Sequence, residues 1–265
     1  MSYETIEVEI DPRGVASVIL ARPQKHNAMN AQMINELAQA ARALEADDAV
    51  RVVILRAQGK TFCAGGDLGW MRDQADKDRA GKMAGAQALA KMLGLWNALA
   101  KPVIGRVHGA AYGGGIGLVA ICDIVIAAEN CRFALTETRL GLIPATIGPF
   151  VVARMGEAFA RQVFFNSKPF DTAFLVRAGL VAKSCAADML DQAVEEEVCA
   201  FLACAPGAVS DAKRLCLALA GADPTARAGL TANALADRWE TSETQEGIAA
   251  FFAKEEPSWR KKTKG

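Results

Sequence analysis

The segment "GAAYGGGIGLVAICD" at 109–123 constrains this chain more than any other. It carries five glycines, one aromatic ring and a single charged group, Asp123. Backbone without side chains approaches other backbone at distances a Cβ forbids, and it leaves N–H groups unshielded. Gly115-x-Gly117-x-x-Ala120 fits the dinucleotide pattern G-x-G-x-x-A. The context argues against that reading. A dinucleotide fingerprint opens a full-length helix within a unit of roughly 30 residues, whereas "DIVIAA" returns as a strand a few residues after Gly117. The run therefore predicts a short helix packed closely on a sheet. The first N–H groups of such a helix can hold an oxygen that gains negative charge.

An oxyanion site takes a second donor from another segment. The loop "CAGGD" at 63–67, which follows the strand-like "RVVILRA", is the candidate. A carboxylate is then needed. Glu137, in "FALTETRLGLIPATIG", has only Arg139 as a charged neighbour in that stretch. Apolar surroundings raise a carboxyl pKa and suit it to proton transfer near neutral pH. Taken alone, Glu137 also reads as a surface or salt-bridged residue. Two amide donors and one carboxylate fit thioester chemistry, in which the carbonyl is polarised and an enolate is stabilised.

The rest of the chain sets this constellation in an α/β frame. "IEVEI", "DPRG" and "VASVILA" predict a hairpin. Asn30 caps a helix with apolar residues Met33, Ile34, Leu37, Ala41 and Leu44 at helical spacing. Strands are expected at 51–57, in "PVIGRVHG" and in "CDIVIAA", and a long helix over about 79–100 that stops before Pro102. From about 148 onward helices dominate. An amphipathic helix is expected at 186–204, and Ser242 with Gln245 forms a capping-box pattern. Strands early and helices late predict an α/β core with a helical C-terminal part.

The 265 residues carry 30 basic and 30 acidic groups, a balance that argues against a general nucleic-acid surface. The polar, acidic "MSYETIEVEI" is not expected to be a signal peptide. The apolar stretch around 115–128 is broken by Asp123 and falls short of the roughly 20 residues of a membrane span. Seven cysteines without a C-x-x-C pair predict reduced, mostly buried thiols in a cytoplasmic protein. His26 and His108 are too few and too far apart for a zinc site and read as structural, so no metal is expected. The closing "RKKTKG" reads as a solvated tail.

Four blocks, "ARPQKHNAMN", "TFCAGGDLGWM", "GAAYGGGIGLVAICDIVIAAENCRFALTETRLGLIPATIG" and "EGIAAFFAKEEPSW", together resemble the crotonase (enoyl-CoA hydratase/isomerase) superfamily over nearly the whole chain. The resemblance implies a spiral of ββα units over 1–204 and a helical trimerisation region over 205–265, assembled as a homotrimer or a dimer of trimers. It implies an acyl-CoA thioester as substrate, with coenzyme A entering as part of it and no separate cofactor. Carried over position by position, Ala64 and Gly114 supply the oxyanion amides. Lys25, Asn27 and Ala28 border the adenine and ribose, and Gly66, Asp67 and Leu68 run along the pantetheine and adenine. Phe252 and Lys254 approach coenzyme A from a neighbouring subunit. Glu137 matches the second catalytic glutamate of the hydratases. The first is replaced by Gly117, at the expected spacing from Glu137, where the substrate is also expected to pass. The blocks are especially similar to bacterial 3-methylglutaconyl-CoA hydratases, which also carry glycine there. The expected activity is addition or removal of water across the 2,3 double bond of a short or branched enoyl-CoA. The alternatives are a Δ3,Δ2-enoyl-CoA isomerase using one glutamate, and a catalytically weak CoA-binding homologue.

Overall fold

The structure is a computed structural model that describes residues 3–261. The basic tail at 260–265 lies mostly outside the described residues. Strands β1 (Ile6–Ile10) and β2 (Val15–Leu20) form the expected antiparallel hairpin. Helix α1 (Ala31–Ala46) starts where Asn30 Oδ1 accepts the Met33 N–H at 2.9 Å, and Met33, Ile34, Leu37, Ala41 and Leu44 are all buried. Glu36 of α1 ties down the edge of the hairpin by accepting the backbone N–H groups of Glu4 and Thr5 at 3.0 and 2.8 Å.

β3 (Val52–Ala57) follows, then α2 (Leu68–Asp76) and α3 (Arg79–Ala98). Next come β4 (Val103–Val107), β5 (Ala110–Tyr112) and the short α4 (Gly114–Ala120). β6 (Ile124–Ala128) and β7 (Arg132–Ala134) lead to α5 (Gly148–Phe164). β8 (Phe170–Asp171), α6 (Thr172–Arg177), β9 (Lys183–Cys185) and α7 (Leu190–Leu202) complete the core. The two-strands-then-helix unit recurs in β4–β5–α4 and β6–β7–α5. Its first strand joins a six-stranded sheet of order β1-β2-β3-β4-β6-β9, and its second joins a three-stranded sheet of order β5-β7-β8. All neighbours in the larger sheet except β1–β2 are parallel. Parallel strands buried on both faces need continuous apolar runs, which "VVIL" and "IVIAA" supply.

Five details differ from the sequence reading. Only Cys63, Cys122 and Cys131 of the seven cysteines are buried, whereas Cys199, Cys204 and Cys216, in the helical C-terminal half, are exposed. Residues 68–76 form a helix, because the Asp67 carboxylate accepts the Gly69 and Trp70 N–H groups and caps it. The residues after "VHG" form a strand of their own, β5, too short for periodicity to reveal. α7 starts at Leu190, preceded by a 3₁₀ turn at Ala187–Met189. Thr241, rather than Ser242, caps the helix expected at "EGIAAFFAKEE", with its hydroxyl accepting the Thr244 N–H.

Helices α8 (Pro206–Gly221), α9 (Arg227–Trp239), α10 (Ser242–Ala253) and α11 (Ser258–Lys261) form the C-terminal part. α8, α9 and α10 contain no buried residue, and Leu217, Leu235, Trp239, Ile248, Phe251 and Phe252 are exposed. Arg51 pins this part to the core by donating to the carbonyls of Leu202, Cys204 and Trp259 at 3.0, 2.8 and 2.9 Å. No helix among the described residues is long and apolar enough to cross a membrane.

Candidate active site

The site grows from the loop between β3 and α2. Residues 63–67 are stitched between two segments. On one side, Met29 donates its N–H to the Gly65 carbonyl at 2.7 Å and accepts from the Asp67 N–H at 2.8 Å. On the other, Cys63 donates to Ala110 at 3.1 Å and accepts from Tyr112 at 2.9 Å. Strand-like backbone alternates the direction of its N–H groups, so the Gly66 N–H points away from Met29. It has no hydrogen-bond partner among the described residues, and neither has the Gly114 N–H at the start of α4.

The glycine run makes this juxtaposition possible. Gly113 sits at φ 46°, ψ −119°, a conformation that side chains other than hydrogen rarely adopt. A Cβ on Gly115 would lie 2.5 Å from the Cys63 carbonyl oxygen, so only glycine lets α4 come this close to the loop.

Glu137 opens a 3₁₀ turn at Glu137–Leu140. The turn is held by the Thr138 and Ser167 hydroxyls, 2.7 Å apart, and by the Leu142 N–H donating to the Glu137 carbonyl at 3.0 Å. The Glu137 carboxylate lies beside Gly113, with Oε1 3.2 Å from the position a Cβ there would take. Its Oε2 is buried and has no hydrogen-bond partner among the described residues. Burial pushes the Glu137 carboxyl above the ordinary glutamate value.

Gly66, Gly114 and Glu137 line one cavity of about 400 Å³. Trp70 and Met71 of α2, Leu89 of α3, and Leu142, Ile143 and Pro144 give it apolar walls. Among the described residues, its only titratable side chains are Glu137 and Lys82. Two unpaired amides and one unpaired carboxylate in an apolar pocket can polarise a carbonyl and move a proton beside it.

The sequence profile of the "Enoyl-CoA hydratase/isomerase" family matches residues 11–262. A Rhizobium meliloti protein named "Probable enoyl-CoA hydratase" is 34% identical over 98% of this chain and 99% of its own length. The crystal structure of an enoyl-CoA hydratase from Shewanella pealeana superposes with a TM-score of 0.93 at 35% identity, over 97% of this chain and 96% of that one. Pseudomonas aeruginosa AtuE superposes with a TM-score of 0.93 at 36% identity, over 97% of this chain and all of that one. The chain belongs to the enoyl-CoA hydratase/isomerase family.

Within this crotonase-type frame the twelve residues singled out in the sequence fall into distinct places. Gly66, Gly114 and Glu137 meet at the cavity. Ala64 does not: its N–H is donated to the His26 carbonyl at 3.0 Å, so it is not available to a ligand. The free amide on this loop is that of Gly66, two residues on, because Gly65 at φ 90° turns the backbone between them, and the two N–H groups no longer share the one direction that a regular strand would give them. Gly117 is also absent from the wall. It is buried, and a Cβ there would lie 2.4 Å from Cγ2 of Ile147. The space above it is filled by the Ile147 side chain, not left open.

Asn27 is buried, and its side chain is fully engaged. Its Oδ1 accepts the Arg22 N–H at 2.9 Å, and its Nδ2 donates to the Gln58 and Thr61 carbonyls at 2.8 Å each. It shapes the loop rather than offering a side chain to a ligand. Asp67 is likewise committed, capping α2 and pairing with Arg22 at 3.0 Å. Lys25 and Leu68 are exposed outside the cavity, and Ala28 is buried next to Met29 of its wall. Phe252 and Lys254 lie exposed at the end of α10, apart from the cavity. Both histidines make local contacts. His26 Nδ1 lies 3.3 Å from Thr61 Oγ1, and His108 Nε2 lies 2.8 Å from the Gly59 carbonyl.

The sequence reading missed Trp70, Met71, Gln74, Lys82, Thr146 and Ile147 on the cavity wall. The signal for the first three was the Asp67 cap followed by residues three and four apart on one helical face.

Proposed function

We propose that the protein is an enoyl-CoA hydratase that works with a single protein carboxylate. The observation that carries this reading is the Glu137 carboxyl, with Oε2 unpaired, on the wall of the cavity that Gly66 and Gly114, whose N–H groups are free, also line. The thioester oxygen accepts from those two N–H groups. Glu137, ionised, takes a proton from water as the water oxygen bonds to the β-carbon. The double-bond electrons move through the α-carbon onto the carbonyl oxygen, giving an enolate held by the two amides. Glu137 then returns the proton to the α-carbon, and the net change is one added water. Coenzyme A enters with the substrate, and the site uses no separate cofactor. The substrate is a short or branched 2-enoyl-CoA, with 3-methylglutaconyl-CoA as the specific candidate.

The Ile147 side chain over Gly117 favours one further reading. A single carboxylate suffices to carry a proton between the 2- and 4-carbons of a 3-enoyl-CoA, which is isomerisation. The conjugated enoyl-thioester absorbance separates the possibilities. Hydration of crotonyl-CoA removes the band, isomerisation of a 3-enoyl-CoA creates it, and a protein that merely binds coenzyme A changes neither.

Two outcomes follow. Gly66→Pro deletes one amide donor, and loss of such a donor typically costs about a hundredfold or more in kcat. Steady-state kinetics and a melting curve on this variant check that turnover falls while the fold persists. The exposed apolar side chains of α8–α10 fit burial against other copies of the chain in a trimer or a dimer of trimers. Sedimentation at micromolar concentration should show an oligomer, and a monomer would contradict this.

A further inference from the structure

The helix face that carries Leu89 and Ala86 along the cavity continues to Lys82. Leu89 is buried and Lys82 is exposed. The seven positions between them span about 10 Å of helix. The α3 wall is thus apolar at its buried end and cationic at its outer end. Opposite, Gln74 of α2 lines the same cavity. Its side-chain oxygen lies 2.4 Å from where a Cβ on Gly85 would stand. Gly85 is a weak helix former in mid-helix, and its missing Cβ makes the seat on which Gln74 rests.

Neither the Lys82 ammonium nor the Gln74 amide makes a hydrogen bond or ion pair among the described residues. Asp78, one turn before Lys82, spends its carboxylate on the Gly81 N–H at 2.8 Å. An unpaired cation and an amide at the outer end of a pocket whose wall is apolar apart from Glu137 and Thr146 suit an anionic oxygen at the end of a short apolar chain.

The geometry points to Lys82 and Gln74 as a specificity subsite for a carboxylate at the far end of the acyl group. The protein would then take enoyl-CoA monothioesters of dicarboxylic acids in preference to plain acyl chains. This rests on the acyl-CoA reading of the cavity. Lys82 donates an ammonium hydrogen bond to the distal carboxylate, Gln74 donates from its amide, and Glu137 stays with the reacting carbons.

Calorimetric binding of two saturated, unreactive thioesters, glutaryl-CoA and butyryl-CoA, tests it directly. They share coenzyme A and differ only by the terminal carboxylate, which replaces one hydrogen of the butyryl methyl group. Wild-type protein should bind glutaryl-CoA about tenfold or more tighter, and the preference should shrink at high salt because Lys82 is exposed. Lys82→Met should erase the preference, and Lys82→Glu should reverse its order. Equal binding of the two thioesters by the wild type overturns the inference and leaves the acyl-CoA reading standing. A loss in Lys82→Met that is the same for both thioesters also overturns it, because the lysine then serves the shared coenzyme A portion. Failure to bind either thioester or free coenzyme A overturns the acyl-CoA reading, and the inference falls with it.

Discussion

Glu137→Gln lowers kcat for hydration by about a thousandfold and leaves coenzyme A binding intact. The amide keeps the shape of the side chain but cannot accept the proton of the attacking water, and positioned proton transfer contributes roughly 10²–10⁴-fold. The same variant gains stability at neutral pH. Burial raises the Glu137 carboxyl above its ordinary value, so the folded state favours the neutral form. The stability of that neutral form is complete below the unfolded pKa and is lost as pH rises through the folded value. The Gln variant never ionises and escapes the loss. Its melting temperature should exceed that of the wild type near pH 7, and the two curves should converge as the pH falls below the ordinary glutamate range. A function that needs an unpaired buried carboxylate keeps it at the expense of stability.

Gly117→Glu alone destabilises the protein. The Cβ would meet Ile147 Cγ2 at 2.4 Å in a buried site that also touches Leu93. Overpacking of this kind costs about 1–3 kcal/mol, and the buried charge adds to it. Each kcal/mol shifts melting by roughly 2–4 °C in a domain of this size. Pairing the change with Ile147→Ala removes the obstructing methyl groups. The double variant should recover melting temperature relative to Gly117→Glu. It should also hydrate crotonyl-CoA at least as fast as wild type, since a second carboxylate then faces Glu137 across the space Ile147 now fills. Thermal melts of the four members of this cycle read the coupling between the two positions.

Much of this site was legible in the sequence because its parts are local. The glycines of 113–117 announce a short helix with free N–H groups, and Glu137 stands out by the lack of charge around it. The α/β core was legible for the same reason, since Asn30 and the apolar spacing of α1 lie within a few residues of each other. What the sequence could not show depends on contacts between distant segments. Ala64 and Gly66 look interchangeable in "CAGGD", and only the pairing of that loop with His26, Met29 and Ala110–Tyr112 decides which amide is free. Asn27 reads as a polar loop residue until Gln58 and Thr61 are found to use its amide. Ile147 lies thirty positions from Gly117, and no periodicity links them. Strand β5 has three residues and takes its conformation from β7 rather than from propensity.

The pH dependence of kcat for crotonyl-CoA hydration tests the single-carboxylate site most directly, because kcat reports ionisations in the enzyme–substrate complex. With Glu137 as the one base, held by burial above the ordinary glutamate pKa of 4.5, kcat should fall at acid pH along a limb of unit slope, its midpoint above that value. A limb of slope two, or a midpoint at or below the ordinary value, would contradict the account.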